Sequence, residues 1–182
     1  MKAPRHIGNV TLVLKSDGPS KRLLLVLKPP KSKADDKRKR KRVGAGLWVP
    51  PGGGTEPTDK SQKHSAQREL LEETGLRYPI KNFRKVGVLK GFNGSENDLL
   101  WLVHLYLLVK PSSDAQQPIP GDNVIKAKWF PTSSLPFKRM LTGDRDWIPR
   151  IVNGEMLSIM IVFNENGSDV RSKSVKPVRS FN

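Results

Sequence analysis

Residues 53–76 read GGTEPTDKSQKHSAQRELLEETGL, and no other stretch limits the fold and chemistry of this chain as tightly. Residues three and four apart share a helix face, so on a helix Glu69, Glu72 and Glu73 project to one side. Carboxylates at that spacing repel by roughly 0.2–0.5 kcal/mol per pair even when solvated, which calls for a cation between them. Oxygen-only ligands suit a hard ion such as Mg²⁺, which usually arrives with substrate phosphates. An exposed acidic helix face is the commoner fate of such residues. It does not explain why a glycine turn, Arg68 and a terminal Gly75 stand at set offsets around them. Gly75 suits the left-handed residue that ends a helix, and Ser61 suits its N-cap. Ala66, Leu70 and Leu71 are expected to face away from the carboxylates and hold the helix on a sheet.

This constellation resembles the Nudix box, G-x5-E-x7-R-E-U-x-E-E-x-G-U, where U is a bulky aliphatic residue. Arg68 to Leu76 match every defined position. Counting forward from Gly53, the first Glu of the box falls on Asp59, one residue too far from Arg68. Counting back from Arg68, the slots fall on Lys60 and Gly54. The reading is one extra residue in the turn, with Asp59 in the Glu role. The resemblance implies that Glu72 and Glu73 are the main metal ligands and Glu69 a ligand or general base. It also implies that Arg68 orients a neighbouring carboxylate and that Gly53 brings a backbone carbonyl to the metal. The cofactor would be Mg²⁺, with Mn²⁺ as substitute. The reaction would be hydrolysis of a nucleoside diphosphate linked to another group. Asp59 is a candidate accessory acid within the box, and Glu96 or Asp122 one from a loop outside it.

A second resemblance concerns 129–149. Trp129-Phe130, Leu135-Pro136-Phe137-Lys138-Arg139-Met140, Asp144 and Trp147-Ile148-Pro149 are similar to the C-terminal half of MutT-like oxidised-purine nucleoside triphosphate diphosphatases, which remove pyrophosphate from 8-oxo-dGTP and relatives. Gly44-Ala45-Gly46-Leu47-Trp48 resembles the stretch before their glycine turn. The base pocket departs from that branch. Val49 stands where an Asn reads the base, Leu141 where a Trp stacks it, and Gly143-Asp144 where two acids sit together. Asp144, Trp48, Trp147 and Asn123 are the candidates for substrate contact. Asp144 is equally well read as a helix N-cap, and the two tryptophans as core or rim residues.

Alternating apolar runs predict strands over 7–14, 22–27, 86–92, 99–109, 124–130 and 157–163, with helices over 61–74 and 144–153. Together with the box they imply an α/β Nudix fold, a mixed β-sheet sandwiched between helices. One domain over 1–170 is expected, with a basic loop insertion at 29–46 and a basic flexible tail at 171–182. The 182 residues suffice for a single core, and without cysteine there is no disulfide framework or thiol chemistry. The N-terminal residues lack a signal-peptide core, and the longest apolar run, 99–109, is too short to span a bilayer. A cytoplasmic monomer without membrane contact is expected, or a nuclear one if the source is eukaryotic.

The net charge is +16. Much of it sits in the run Lys37-Arg38-Lys39-Arg40-Lys41-Arg42 and in Arg171, Lys173, Lys176 and Arg179. A solvated loop is the first reading of the run, weak nucleic-acid affinity the second, and it also resembles a nuclear localisation signal. Besides a nucleoside triphosphate, three substrates stay open: dinucleoside polyphosphates, nucleotide sugars and capped RNA. So does a catalytically weak nucleic-acid-binding module.

Overall fold

The structure is a computed structural model that describes residues 3–31, 43–110, 113–121, 123–165 and 169–181. The basic run 37–42 and Asp122 lie outside them. Eight strands form one mixed sheet in the order β3-β2-β1-β5-β4-β7-β8, with β6 also paired to β2. They are β1 (His6–Asp17), β2 (Ser20–Leu27), β3 (Trp48–Val49), β4 (Arg84–Asn93), β5 (Leu99–Lys110), β6 (Lys126–Pro131), β7 (Leu157–Phe163) and β8 (Val170–Pro177). Among the described residues two α-helices, α1 (Gln62–Thr74) and α2 (Asp144–Val152), pack on opposite faces. The expected sandwich is therefore present.

The two faces follow from period-2 alternation. Leu12, Leu14, Leu23, Leu25, Leu105 and Leu107 meet Trp147, Ile148 and Ile151 of α2. Val13, Leu24, Tyr106 and Leu108 meet Ala66 and Leu70 of α1. Each such leucine, fully buried, contributes roughly 1.5–3 kcal/mol. Leu71 is a correction. It is only partly buried and lines an outer groove with His64, Arg77 and Tyr78, because one turn of α1 presents only Ala66 and Leu70 to the sheet.

The sheet opens between β1 and β2, and this opening positions the site. The two strands pair from Leu14↔Leu23 to Asp17↔Ser20. Farther along β1, the N–H groups of Asn9 and Thr11 donate to the carbonyls of Gly53 (2.9 Å) and Pro51 (2.8 Å), and Thr55 N–H donates to Ile7 O (3.0 Å). On the other side Val26 and Leu27 of β2 pair with β3. Segment 48–55 is thus wedged into the sheet, which carries the glycine turn to the base of α1.

Helix α1 begins at Ser61, whose hydroxyl accepts from His64 N–H at 3.3 Å, and stops at Gly75, φ 68°. The carbonyls of Glu73 and Thr74 accept from the N–H groups of Gly121 (3.1 Å) and Ile119 (2.8 Å), which satisfies the helix end. A Cβ at Gly121 would lie 1.7 Å from Glu72 O, so only glycine allows this approach.

Two expectations near the C-terminus are corrected. Residues 157–163 do not form the last strand, and the segment from 171 is not a frayed tail. Val170–Pro177 is β8, antiparallel to β7 with Ile159 opposite Val175. Most of its side chains are exposed, so backbone pairing rather than apolar burial holds it, and a polar sequence conceals it. In α2 the N-cap is Gly143 and Asp144 is the first helical residue, which removes the N-cap reading of Asp144. No helix among the described residues is long and apolar enough to cross a membrane.

Candidate functional site

The glycine turn and α1 meet closely. Gly52 N–H donates to Glu73 Oε2 at 3.0 Å, and a Cβ at Gly53 would lie 2.5 Å from the Glu69 carboxylate. Glu69, Glu72 and Glu73 open onto one cleft of about 360 Å³, which Asn123, held at φ 62°, also lines. Exposure rises across the set: the Glu73 side chain is 6% exposed, Glu69 14% and Glu72 53%. Glu73 is therefore the anchored member and Glu72 the one that faces solvent. Asn123 joins this cleft rather than the base region.

Arg68 stands behind these carboxylates. Its Nε donates to Asp59 Oδ1 (3.0 Å) and its Nη2 to Asp59 Oδ2 (2.9 Å) and Gly54 O (2.9 Å). Its Nη1 donates to Glu69 Oε1 (3.0 Å) and Glu72 Oε2 (2.9 Å). The guanidinium holds the Asp59 carboxyl far below the usual carboxylate range, and Asp59 in turn raises the pKa of Arg68. Asp59 thus orients Arg68 instead of lining the cleft. Burial pushes the Glu69 carboxyl up, and Arg68 offsets part of the rise. Glu73 Oε1 forms an ion pair with Lys28 Nζ.

The donor chemistry fits a hard divalent cation. The three carboxylates offer only oxygen, as does the nearby glycine turn, where Gly53 O accepts from Asn9 N–H. Among the described residues no three acidic or histidine side chains converge at ligand spacing. Glu69 and Glu72 are instead paired with Arg68, and Glu73 with Lys28 and Gly52 N–H.

Other candidates lie elsewhere. Glu96 is exposed in the turn between β4 and β5 and is not part of the cleft wall. Trp48 and Trp147 are core residues on the α2 face, Trp48 packing edge-on against Phe130 at 4.9 Å. His104 is a half-buried strand residue whose pKa is lowered by burial and by Lys85. Asp144 is buried, its Oδ2 has no hydrogen-bond partner, and burial pushes its carboxyl up to about 7 against hydrogen bonds from the Leu141 main chain and the Trp147 side chain.

Asp144 lies on the α2 side of the sheet, next to partly buried apolar side chains packed against that core. Val10, Leu89, Val103 and Ile161 are among these side chains, and a Cβ at Gly143 would lie 3.6 Å from Ile161. In adjacent strands Ile161, Gly91 and Trp101 are aligned. The Trp101 indole covers Gly91, where a Cβ would lie 2.7 Å from the ring, and meets Phe163 edge-on at 5.4 Å. A Cβ at Gly8 would lie 2.7 Å from Gly53 O, so β1 and the glycine turn are in close contact here. Sequence reasoning missed Lys28 and Trp101. Only the strand pairing that sets Gly91 against Trp101 marks the latter, and only the fold brings Lys28 to Glu73.

Comparisons with known proteins agree with this geometry. Residues 6–151 match the family model described as the NUDIX domain. The oxidized purine nucleoside triphosphate hydrolase of Danio rerio is 31% identical over 130 residues, 71% of this chain and 78% of that protein. The Mus musculus protein of the same name is 29% identical over 161 residues, 87% of this chain and 95% of that one. The fold is similar to that of the mutator MutT protein from Bacillus halodurans, with a TM-score of 0.65 and 18% identity, covering 93% of this chain and 97% of that one.

Proposed function

The chain belongs to the NUDIX family, and from that premise we propose that this pyrophosphohydrolase cleaves a purine nucleoside triphosphate, an oxidised one by preference, to the monophosphate and pyrophosphate. The observation that carries the reading is the cleft in which Glu69, Glu72 and Glu73 face the glycine turn. In a protein of net charge +16, a carboxylate-lined cleft repels phosphates unless a cation intervenes. Glu69, Glu72 and Glu73, with Gly53 O beside them, would hold Mg²⁺, or Mn²⁺ in its place. Once bound, the cation polarises a bridging phosphate and lowers the pKa of water.

The protein groups divide the remaining work. Arg68 occupies Glu69 Oε1, which leaves Oε2 to take a proton from the attacking water. Burial raises the proton affinity of that carboxyl, as a general base requires. Asp59 fixes Arg68 and so fixes Glu69. We assign the base to the α2 side of the sheet, with Trp101, which covers Gly91, as a stacking wall and the protonated Asp144 as a donor to a purine edge. The names of the two relatives support the purine assignment. The basic run 37–42 favours capped RNA as the second reading.

The test is a Mg²⁺-dependent hydrolysis screen of 8-oxo-dGTP, 2-oxo-dATP, the four dNTPs, ADP-ribose, diadenosine polyphosphates and capped RNA. Pyrophosphate release chiefly from an oxidised purine is expected, and the Glu72→Gln/Glu73→Gln variant is expected to lose it. Wild-type rates in that variant would refute the assigned cleft.

A further inference from the structure

Strands β4, β5, β7 and β8 contain no aspartate or glutamate, yet Lys85, Lys90, Arg171, Lys173 and Lys176 are among their cations. Strand pairing sorts these cations by face, because residues opposite one another across a ladder share a face. Tyr106 points to the α1 side, where it meets Ala66 and Leu70, and by alternation so does His104. Val88 stands opposite both His104 and Ser158, and Ser158 stands opposite Lys176. In the next row Lys90 stands opposite Leu102 and Met160, and Met160 opposite Ser174. Lys90 and Lys176 therefore share the α1 side with Lys85, which stands opposite Tyr106.

Helix α1 does not cover this part of the sheet. Its apolar partners Val13, Leu24, Leu108 and Ala127 belong to β1, β2, β5 and β6, and none belongs to β4, β7 or β8. Ser158 and Lys176 are exposed, and Val88, Lys90, Leu102 and Met160 are only half-buried. On the α2 side the cations of β8 are used internally. Lys173 Nζ donates to Asp146 Oδ2 at 2.5 Å and Arg171 Nη1 to Gly94 O at 3.1 Å. On the α1 side Lys85, Lys90 and Lys176 form no ion pair with any described acid. Lys85 Nζ instead lies 5.2 Å from the centre of the Phe181 ring, which brings an aromatic side chain beside the cations. With about 4.8 Å between strands and about 3.3 Å per residue, the Lys90 and Lys176 stems stand about 12 Å apart, and those of Lys85 and Lys90 about 16 Å. No single phosphate spans such distances, whereas a chain of phosphates does.

We propose that the α1 side of β4, β7 and β8 is a docking surface for single-stranded nucleic acid, whose phosphates meet Lys85, Lys90 and Lys176 while its bases lie on Val88, Leu102 and Met160. Charge complementarity carries the choice of partner: the strands supply cations and no acid, and the net charge of +16 attracts a polyanion from a distance. An anionic membrane fits less well. The apolar floor is half-buried and lies flush with the sheet, which suits flat bases, whereas insertion among acyl chains requires protruding apolar groups. The surface is separate from the carboxylate cleft and needs no metal, so the proposal does not depend on the reaction assigned to that cleft.

The experiment titrates the full chain into a fluorescein-labelled oligouridylate of about 12 nucleotides and follows anisotropy over a range of KCl concentrations. Four proteins are compared: wild type, Lys85→Gln/Lys90→Gln/Lys176→Gln, Ser158→Glu, and the charge-matched Lys37→Gln/Lys39→Gln/Lys41→Gln. The triple variant of the sheet should bind at least about tenfold more weakly at low salt, and its plot of log K against log salt should be flatter by about 2. Ser158→Glu removes no cation and touches no core residue, and it should weaken binding by about threefold or more. The charge-matched variant should lose less than the sheet variant. Sheet variants with native circular dichroism that bind within about twofold of wild type would overturn the proposal. So would an equal or larger loss in the charge-matched variant, or a wild type that does not bind the oligonucleotide. Phosphatidylserine vesicles serve as the second probe, and a loss by the sheet variants confined to vesicles would overturn it in favour of a membrane.

Discussion

Arg68 grips Asp59 at two points, Nε to Oδ1 at 3.0 Å and Nη2 to Oδ2 at 2.9 Å, although nine positions rather than eight separate them in the chain. The extra residue is accommodated in a tight turn. Asp59 N–H donates to Glu56 O at 3.0 Å, and Glu56 N–H donates back to Asp59 Oδ2 at 2.8 Å. Asp59 therefore holds Arg68 from a position one residue displaced.

Asp59→Asn should accordingly impair turnover without unfolding the protein. The amide keeps the turn but loses the charge that holds Arg68 back, and the guanidinium is then free to settle on Glu69 and Glu72. Loss of such an outer partner typically costs about 10- to 100-fold in activity or metal affinity. We expect kcat to fall within that range while the circular dichroism spectrum stays native. A kcat within twofold of wild type would show that Glu69 and Glu72 alone keep Arg68 in place.

Gly53→Ala tests the contact between turn and helix. The new methyl would lie 2.5 Å from the Glu69 carboxylate, closer than any real Cβ contact, so either the turn or Glu69 must move. Overpacking of this kind costs about 1–3 kcal/mol. Since Glu69 is the group displaced, activity should suffer more than stability. Hydrolysis rates and urea midpoints measured on the same preparation would separate the two. A stability loss with unchanged kcat would exonerate Glu69.

Much of this was legible in the sequence because it depends on local spacing. Ser61, Gly75 and the carboxylates of α1 are set by helix periodicity, and strands β1, β2, β4, β5 and β7 by alternation. Features that depend on pairing across the chain were not legible. Lys28 reaches Glu73 over 45 positions, and Trp101 covers Gly91 only because β4 and β5 align them. Leu71 belongs to the apolar pattern of α1, yet helix rotation turns it outward. Asp144 looked like a cap because an acid starts a helix, but Gly143 holds that position.

β8 is the clearest of these cases and yields a stability test. Removing residues 170–182 would strip the ladder from β7 and the cover that Val175 gives the core. It would also remove the bond from Arg150 Nη1 to Val175 O (3.0 Å) and that from Val178 N–H to Met156 O (2.8 Å). In a chain of this length each kcal/mol lost lowers Tm by about 2–4 °C. A drop of at least about 5 °C is expected in thermal melts, against no change for a dispensable tail.

Asp144 connects pH to both stability and binding. Its carboxyl is raised from 3.8 to about 7 in the folded chain, chiefly by burial. Between those values the native state holds a proton that the unfolded chain has released. Stability therefore falls as pH rises from about 4 to about 7 and changes no further above that. At about 1.4 kcal/mol per unit, the contribution is on the order of a few kcal/mol. Asp144→Asn has nothing to ionise, so its urea-derived stability should lack this slope over the same range. The protonated acid is also the form that donates to a purine acceptor, so KM for the favoured nucleotide should rise above about pH 7 in the wild type only. Parallel stability profiles for the two proteins would mean that Asp144 is already ionised in the fold, and its role as a donor would fall with that result.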